Sequence, residues 1–283
     1  MAKRKVLIAG ATGQVGTAVN KLFAKNDKNE LFTFTHKDLD ISSRDMVSSV
    51  VYTIKPDVII NAAAMTNVDL CESEFDNAFN INSLGVRNLT QSAQEINSHL
   101  IHLSTDFVFD GQKKSPYSEF DIPNPQSIYA LSKLGGDTEA LKYEKSTVLR
   151  VAWVFGNPNG DFFSWVYDGY KNNTIKTLIS DAQCTPTYSD DIAMVIDHVV
   201  SNQNYGLLNV ANSNVTTRLE MGQLFLKKLG IDFMFDAVTS ETLNRPALRP
   251  LYSALSTTTL KAVTGIELRS WQEALDDHLR KFI

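Results

Sequence analysis

The chain has little cysteine: Cys71 and Cys184 stand alone, far apart and in no metal-ligand spacing. That excludes a disulfide framework and a cysteine-held zinc, and it leads us to expect reduced thiols in a cytoplasmic protein. The five histidines form no H-E-x-x-H pattern, so no resident metal is expected. Long hydrophobic runs are missing too. No stretch approaches the ~18 apolar residues of a membrane span, and the apolar segment 6–9 that follows the basic start is too short for the core of a signal peptide. Nor is there an excess of positive charge. Lys and Arg number 27 against 32 Asp and Glu, a formal net charge of −5, which gives no basic footprint for nucleic acid or an anionic membrane. Internal repeats, low-complexity tracts and Pro/Gly/Ser-rich linkers are absent. What remains is an ordinary globular composition, 43% hydrophobic and 21% charged in 283 residues, enough for one large or two moderate domains.

Short β-branched runs alternate with helical patterns through the first half. Strands are expected at 5–9, 31–35, 57–62, 100–104 and 147–154, with helices at 15–24, 43–54, 75–96 and 128–142. Ser42 or Ser43 is a suitable N-cap, and Pro56 ends the helix that follows. Such alternation, joined by right-handed crossovers, predicts an α/β fold with a doubly wound (Rossmann) parallel sheet. After the turn cluster Asn157-Pro158-Asn159-Gly160 come an aromatic-rich helix, a strand near 174–179 and less regular alternation. The domains expected are a dinucleotide-binding Rossmann domain at 1–156 and a smaller C-terminal substrate-binding lobe at 157–283, with part of about 175–205 returning to the first. The cleft between lobes is the natural ligand site.

Gly10-Ala11-Thr12-Gly13-Gln14-Val15-Gly16 follows the first strand and opens a helix. Glycines there permit a tight turn and close approach of a pyrophosphate, whose charge the helix N-terminus stabilises. The end of strand two reads Thr35-His36-Lys37, with no carboxylate to repel a 2′-phosphate. NADPH is therefore expected to serve at least as well as NADH. Asp40 and Ile41 are placed to flank the adenine, although Asp40 equally suits a helix start. Ala62, Ala63 and Ala64 are small enough for a cofactor to lie against the backbone. Strand four ends in Ser104-Thr105-Asp106, and on the next helix Tyr129 and Lys133 share one face at i and i+4. A second Y-x-x-x-K pair, Tyr167 and Lys171, lacks those neighbours. Hydroxyl, phenol and ammonium converging beside a nicotinamide suit carbonyl reduction: Thr105 would donate to the carbonyl oxygen, Tyr129 would supply the proton, and Lys133 would lower the phenol's pKa.

These segments together resemble the extended short-chain dehydrogenase/reductases nearly end to end. They are "GATGQVG" at 10–16, "LDI" at 39–41, "NAAAMTNVDLCE" at 61–72, "STDFVFDG" at 104–111, "PNPQSIYALSK" at 123–133, "LRVAWVFG" at 149–156, "CTPTYSDDIA" at 184–193 and "RPLYSAL" at 249–255. The likeness is greatest to the branch that completes dTDP-L-rhamnose. It implies NAD(P)H-dependent reduction of the 4-keto group of a nucleotide sugar, dTDP-4-dehydro-6-deoxy-L-mannose, with Thr105, Tyr129 and Lys133 catalytic. It also implies Val68, Asp106 and Trp153 near the sugar and Arg249 in the substrate lobe. Phe107 and Met65 stand where the family commonly has tyrosine and an aromatic or histidine, which leaves a different nucleotide-4-keto-sugar as an alternative. Ala18 replaces a glutamate that supports metal-bridged dimers in some relatives, so a monomer or weak homodimer is expected. The fold also serves as a noncatalytic regulatory subunit elsewhere, a role that gives no reason for three convergent proton-handling groups.

Overall fold

The computed structural model describes residues 2–157 and 160–282; Pro158 and Asn159, at the centre of the expected turn cluster, lie outside the described residues. The first half runs β1 (Arg4–Ala9), α1 (Gln14–Phe23), β2 (Asn29–Phe34), α2 (Arg44–Ile54), β3 (Val58–Asn61), α3 (Val68–Ser73), α4 (Phe75–Phe79), a π-helical turn (Asn80–Leu84), α5 (Gly85–Glu95), β4 (His99–Thr105), α6 (Ile128–Ala140) and β5 (Ser146–Val151). There follow α7 (Phe162–Lys171), β6 (Thr177–Ile179), β7 (Gln183–Cys184), α8 (Ser189–Asn202), β8 (Gly206–Val210), β9 (Thr216–Thr217), α9 (Arg218–Lys228), β10 (Asp236–Val238), α10 (Thr258–Thr264) and α11 (Trp271–Leu279). Among the described residues no helix is long and apolar enough to cross a membrane.

Six parallel strands form the main sheet in the order β2-β1-β3-β4-β5-β8. Successive side chains of a strand point to opposite faces, and both faces here are covered. Val6 and Ile8 accordingly join one core, under α1 and α8, while Leu7 and Ala9 join the other, under α2 and α5. The chain returns to this sheet through α8 and β8. A separate aromatic core holds the second lobe, built on Phe163 of α7, Phe225 of α9 and Trp271 of α11 with Phe155 beneath them. Strand order reverses between β1 and β3, and it is at such a switch point that open α/β sheets hold ligands.

Local chemistry explains most boundaries. Ser43 caps α2, its hydroxyl accepting from Met46 N, and α2 stops at Lys55, left-handed at φ 51° just before Pro56. The single helix expected over 75–96 is interrupted by the π turn, and α3, capped by Asn67, lies in a segment read only as a motif. The fifth strand ends at Val151 rather than 154, because Trp153 has a left-handed backbone at φ 38°. A non-glycine residue there costs of order 1–3 kcal/mol, and such strain concentrates where a side chain must be aimed.

Candidate active site

Loop 10–16 lies at the switch point. Gly10 has φ 75°, and a Cβ on it would lie 2.6 Å from the backbone of Ala62 and Ala63; one on Gly16 would lie 2.1 Å from Gly10 O. Both glycines are thus required by backbone contact, not by turn propensity alone. α1 begins at Gly13 with no side-chain cap and no acid in its first turn, and the buried Gln14 Oε1 has no protein partner. Orphan N–H groups at a dipole's positive end, with glycines clearing the approach, fit the pyrophosphate of a dinucleotide.

A cleft of about 400 Å³ opens beside this helix start. Gly13, Gln14 and Val15 line one end; Ala62, Ala63, Ala64 and Val68 line the β3 side; Thr105, Asp106, Phe107, Tyr129, Lys133 and Trp153 line the rest. Most of the residues singled out in the sequence therefore meet in one cavity. Gly10, Thr12 and Gly16 shape the loop without lining the cleft. Asp40 accepts from the amide and hydroxyl of Ser42 in the turn before α2, whose cap is Ser43 and whose first-turn acid is Asp45, and Ile41 is buried beneath Gly85. His36 and Lys37 are exposed at the end of β2.

Thr105 Oγ1 accepts from Phe107 N at 3.2 Å and donates to Asp106 Oδ1 at 3.1 Å. Burial pushes the Asp106 carboxyl up to about 6, against hydrogen bonds from Ser253 and Thr105. Tyr129 follows Ser127, which caps α6 by accepting from Ala130 N, and its ring meets Phe107 edge-on at 5.9 Å. Lys133 is 3% exposed and donates to Leu103 O at 2.5 Å. Burial pulls its ammonium down to about 8, with Asp137 opposing. The expected depression of the Tyr129 pKa by Lys133 does not occur in the polypeptide by itself. Burial drives the phenol well above its ordinary value, and the Thr105 hydrogen bond only partly offsets this.

Asn82, in the π turn, is a group the sequence reading missed. Its side chain accepts from Met65 N at 2.9 Å and donates to Met65 O and Ser132 Oγ, both at 3.0 Å, so it pins the cleft-side loop to α6 between Tyr129 and Lys133. Arg218 was also missed. Its guanidinium lies 4.0 Å over the Trp153 ring and 4.5 Å over Phe162, and burial pulls its pKa down to about 10. It packs on Trp153, which lines the cleft, and itself lines a second groove of about 480 Å³ with Phe162, Trp165, Ile175, Leu178 and Arg245. Neither arginine sits in a local pattern that would single it out. Arg249 lines neither the cleft nor the second groove: it makes a bidentate ion pair with Asp69, at 3.0 and 2.8 Å, beside Val68. On α7 the second Y-x-x-x-K pair is a cation–π contact, Lys171 Nζ 4.3 Å from the Tyr167 ring.

Known proteins match this chain over nearly its whole length. A dTDP-4-dehydrorhamnose reductase of Aggregatibacter actinomycetemcomitans is 34% identical, covering 96% of this chain and 97% of that protein. The spore coat polysaccharide biosynthesis protein SpsK of Bacillus subtilis is 32% identical over 98% and 97%. Among solved structures, the dTDP-4-dehydrorhamnose reductase of Bacillus anthracis in complex with NADP superposes with a TM-score of 0.95 at 29% identity, covering 99% of each chain. The Clostridium acetobutylicum dTDP-4-dehydrorhamnose reductase gives 0.93 at 34% identity, covering 98% of this chain and 99% of that one. Residues 4–283 match the family described as RmlD substrate binding domain, and the chain belongs to that family.

Proposed function

We propose that this protein reduces the 4-keto group of dTDP-4-dehydro-6-deoxy-L-mannose to dTDP-L-rhamnose with NADPH, or with NADH. The observation that carries the reading is the convergence of Thr105, Tyr129 and Lys133 in one cleft with the uncapped start of α1. The relatives named for this activity support the substrate, and the NADP held by the Bacillus anthracis protein supports the cofactor. The cofactor would lie on loop 10–16 and residues 62–64, and when bound it supplies the hydride.

This chain's own groups then handle the proton. Reduction needs a neutral acid next to the developing alkoxide, and a half-buried phenol with a raised pKa stays neutral. Tyr129 gives its proton to that oxygen. The Thr105 hydroxyl, turning from Asp106, donates to the same oxygen, and the Lys133 ammonium stabilises the phenolate left behind. Val68, Asp106 and Trp153 would surround the sugar. Arg218 and Arg245, which line the second groove, are suited to the diphosphate, and the apolar wall of Phe162, Trp165, Ile175 and Leu178 to the base. Every group named comes from one chain, so a monomer is expected to be active.

Phe107 favours one second reading. Its ring presents carbon to the cleft beside Tyr129, which suits another deoxygenated dTDP-4-keto-sugar. A Streptomyces antibioticus relative, 29% identical, carries the name of a probable ketoreductase of that kind. NADPH consumption with freshly made dTDP-4-dehydro-6-deoxy-L-mannose, with the product identified by NMR, tests the proposal. Formation of dTDP-L-rhamnose supports it. Turnover only with other 4-keto sugars moves the assignment to the second reading.

A further inference from the structure

Beneath the catalytic helix lies a buried polar cluster that the proton-handling scheme above does not use. Asp137, four residues after Lys133 on α6 and 1% exposed, is its centre. From β5, Arg150 Nε donates to Asp137 Oδ2 at 3.0 Å. From β4, His102 Nε2 stands 3.9 Å from Asp137 Oδ1, and the Ser104 hydroxyl faces the same carboxylate. From its own helix comes Lys133. Arg150 pairs directly with the carboxylate, while Lys133 acts on it from one turn away; burial pushes the Asp137 carboxyl up, opposed by the Arg150 charge, the Ser104 hydroxyl and the Lys133 charge, and Tyr129 is the other titratable group on the Lys133 side.

The tautomer of His102 follows from β3. Asn61 Oδ1 accepts from Ala63 N at 3.1 Å, which fixes the amide so that Asn61 Nδ2 donates to His102 Nδ1 at 3.2 Å. Burial and the Lys133 charge hold the imidazole neutral, well below its ordinary pKa. With Nδ1 accepting, the proton sits on Nε2, which stands 3.9 Å from Asp137 Oδ1 and makes no hydrogen bond among the described residues.

We propose that Asp137 is a positioning residue that keeps the Lys133 ammonium charged inside the protein, its own anionic form being held by Arg150. The inference rests on the reading of Lys133 as the partner of Tyr129. Its physical basis is that a desolvated ammonium loses its proton unless a counter-charge is near. Leu103 O is a dipole, and Asp137 is the carboxylate that opposes the loss.

The test is the pH profile of kcat/KM for Asp137→Asn beside Asp137→Glu. The unsubstituted enzyme is expected to lose activity above about pH 8, where Lys133 loses its proton. In Asp137→Asn that limb should move down by a unit or more, giving a roughly tenfold or greater loss at pH 8.5 but less than about threefold at pH 6, since one pKa unit is tenfold in protonation. Asp137→Glu should restore the original limb. A uniform loss at every pH, with the limb unmoved, would overturn the proposal and leave Asp137 a structural support. Should Asp137→Asn fail to fold because Arg150 is left as an unpaired buried charge, Asp137→Asn with Arg150→Met removes both ions together, and its limb must move in the same direction. If the unsubstituted chain reduces no 4-keto sugar, the functional reading fails by itself. Titration of the Lys133 ammonium by nitrogen-15 NMR then decides the present proposal: a fall of about one unit in Asp137→Asn supports it, and no change overturns it.

Discussion

Tyr129 must remain protonated until hydride arrives and must then release its proton within the same step. Burial beside Thr105 and Phe107 meets the first demand, and the Thr105 hydrogen bond favours the second. Tyr129→Phe is therefore expected to lower kcat by about 10²–10⁴-fold, the range of general acid catalysis, while NADPH affinity measured by calorimetry changes less than about threefold. Retained turnover would remove Tyr129 from the assignment. Arg218 makes the opposite split: Arg218→Ala should raise KM for the nucleotide sugar at least tenfold with a smaller fall in kcat, since it loses a charge-assisted contact of about 1.5–3 kcal/mol. Equal falls in kcat and kcat/KM would place Arg218 at the reacting centre instead. The sequence made Tyr129, Lys133 and Thr105 legible because each belongs to a short local motif on an element of recognisable period. Arg218 and Arg245 were not legible, because tertiary packing alone brings them together in the second groove. Asp137 was within reach: the spacing that pairs Tyr129 with Lys133, continued one more turn, ends on it.

Among the elements, the π turn does work that a continuous helix would not. One extra residue per turn swings Asn82 inward, and its amide satisfies both backbone groups of Met65 and the Ser132 hydroxyl. Asn82→Ala would leave the part-buried amide and carbonyl of Met65 without this partner, at a cost of about 1–3 kcal/mol for each one not reached by water, while Ser132 keeps its bond to Tyr129 O. The expected result is a clearly lower Tm, and a fall in kcat as the loop beside Ala64 and the Tyr129 turn lose their common anchor. Unchanged Tm and unchanged activity would mean that the loop is held by other contacts. Hydrophobic periodicity over 75–96 suggested one helix because the apolar positions keep nearly helical spacing across the bulge, and a single inserted residue barely disturbs that count. Strand five was overextended for a related reason. Ala152, Trp153 and Val154 have strand-like composition, whereas it is the backbone turn at Trp153, written nowhere in its side chain, that ends the pairing.

At the scale of the whole molecule, the alternation that made the parallel sheet legible says nothing about how the chain leaves it. That exit, after Phe155, is held by a carboxylate with no solvent contact. Asp161 accepts from Gly156 N at 3.0 Å, caps α7 by accepting from Ser164 N at 3.0 Å, and meets His278 Nε2 of α11 at 3.0 Å with both side chains fully buried. It thus joins the path out of the sheet to the last helix. Burial alone would raise the Asp161 pKa, but the hydrogen bond and charge of His278, with the two backbone N–H groups, outweigh it and hold the carboxyl below its ordinary 3.8. A carboxyl depressed on folding contributes stability that is fully present above its unfolded pKa and is lost as pH falls through the folded value. Asp161→Asn, which keeps a capping oxygen but no charge, should therefore lower Tm at pH 7, with the gap from the unsubstituted chain shrinking as pH drops below 3.8. Thermal melts of the two proteins between pH 3 and 7 measure that gap. A constant gap across the range would show that the carboxylate's charge does not hold the lobes' junction, and that Asp161 acts only as a cap.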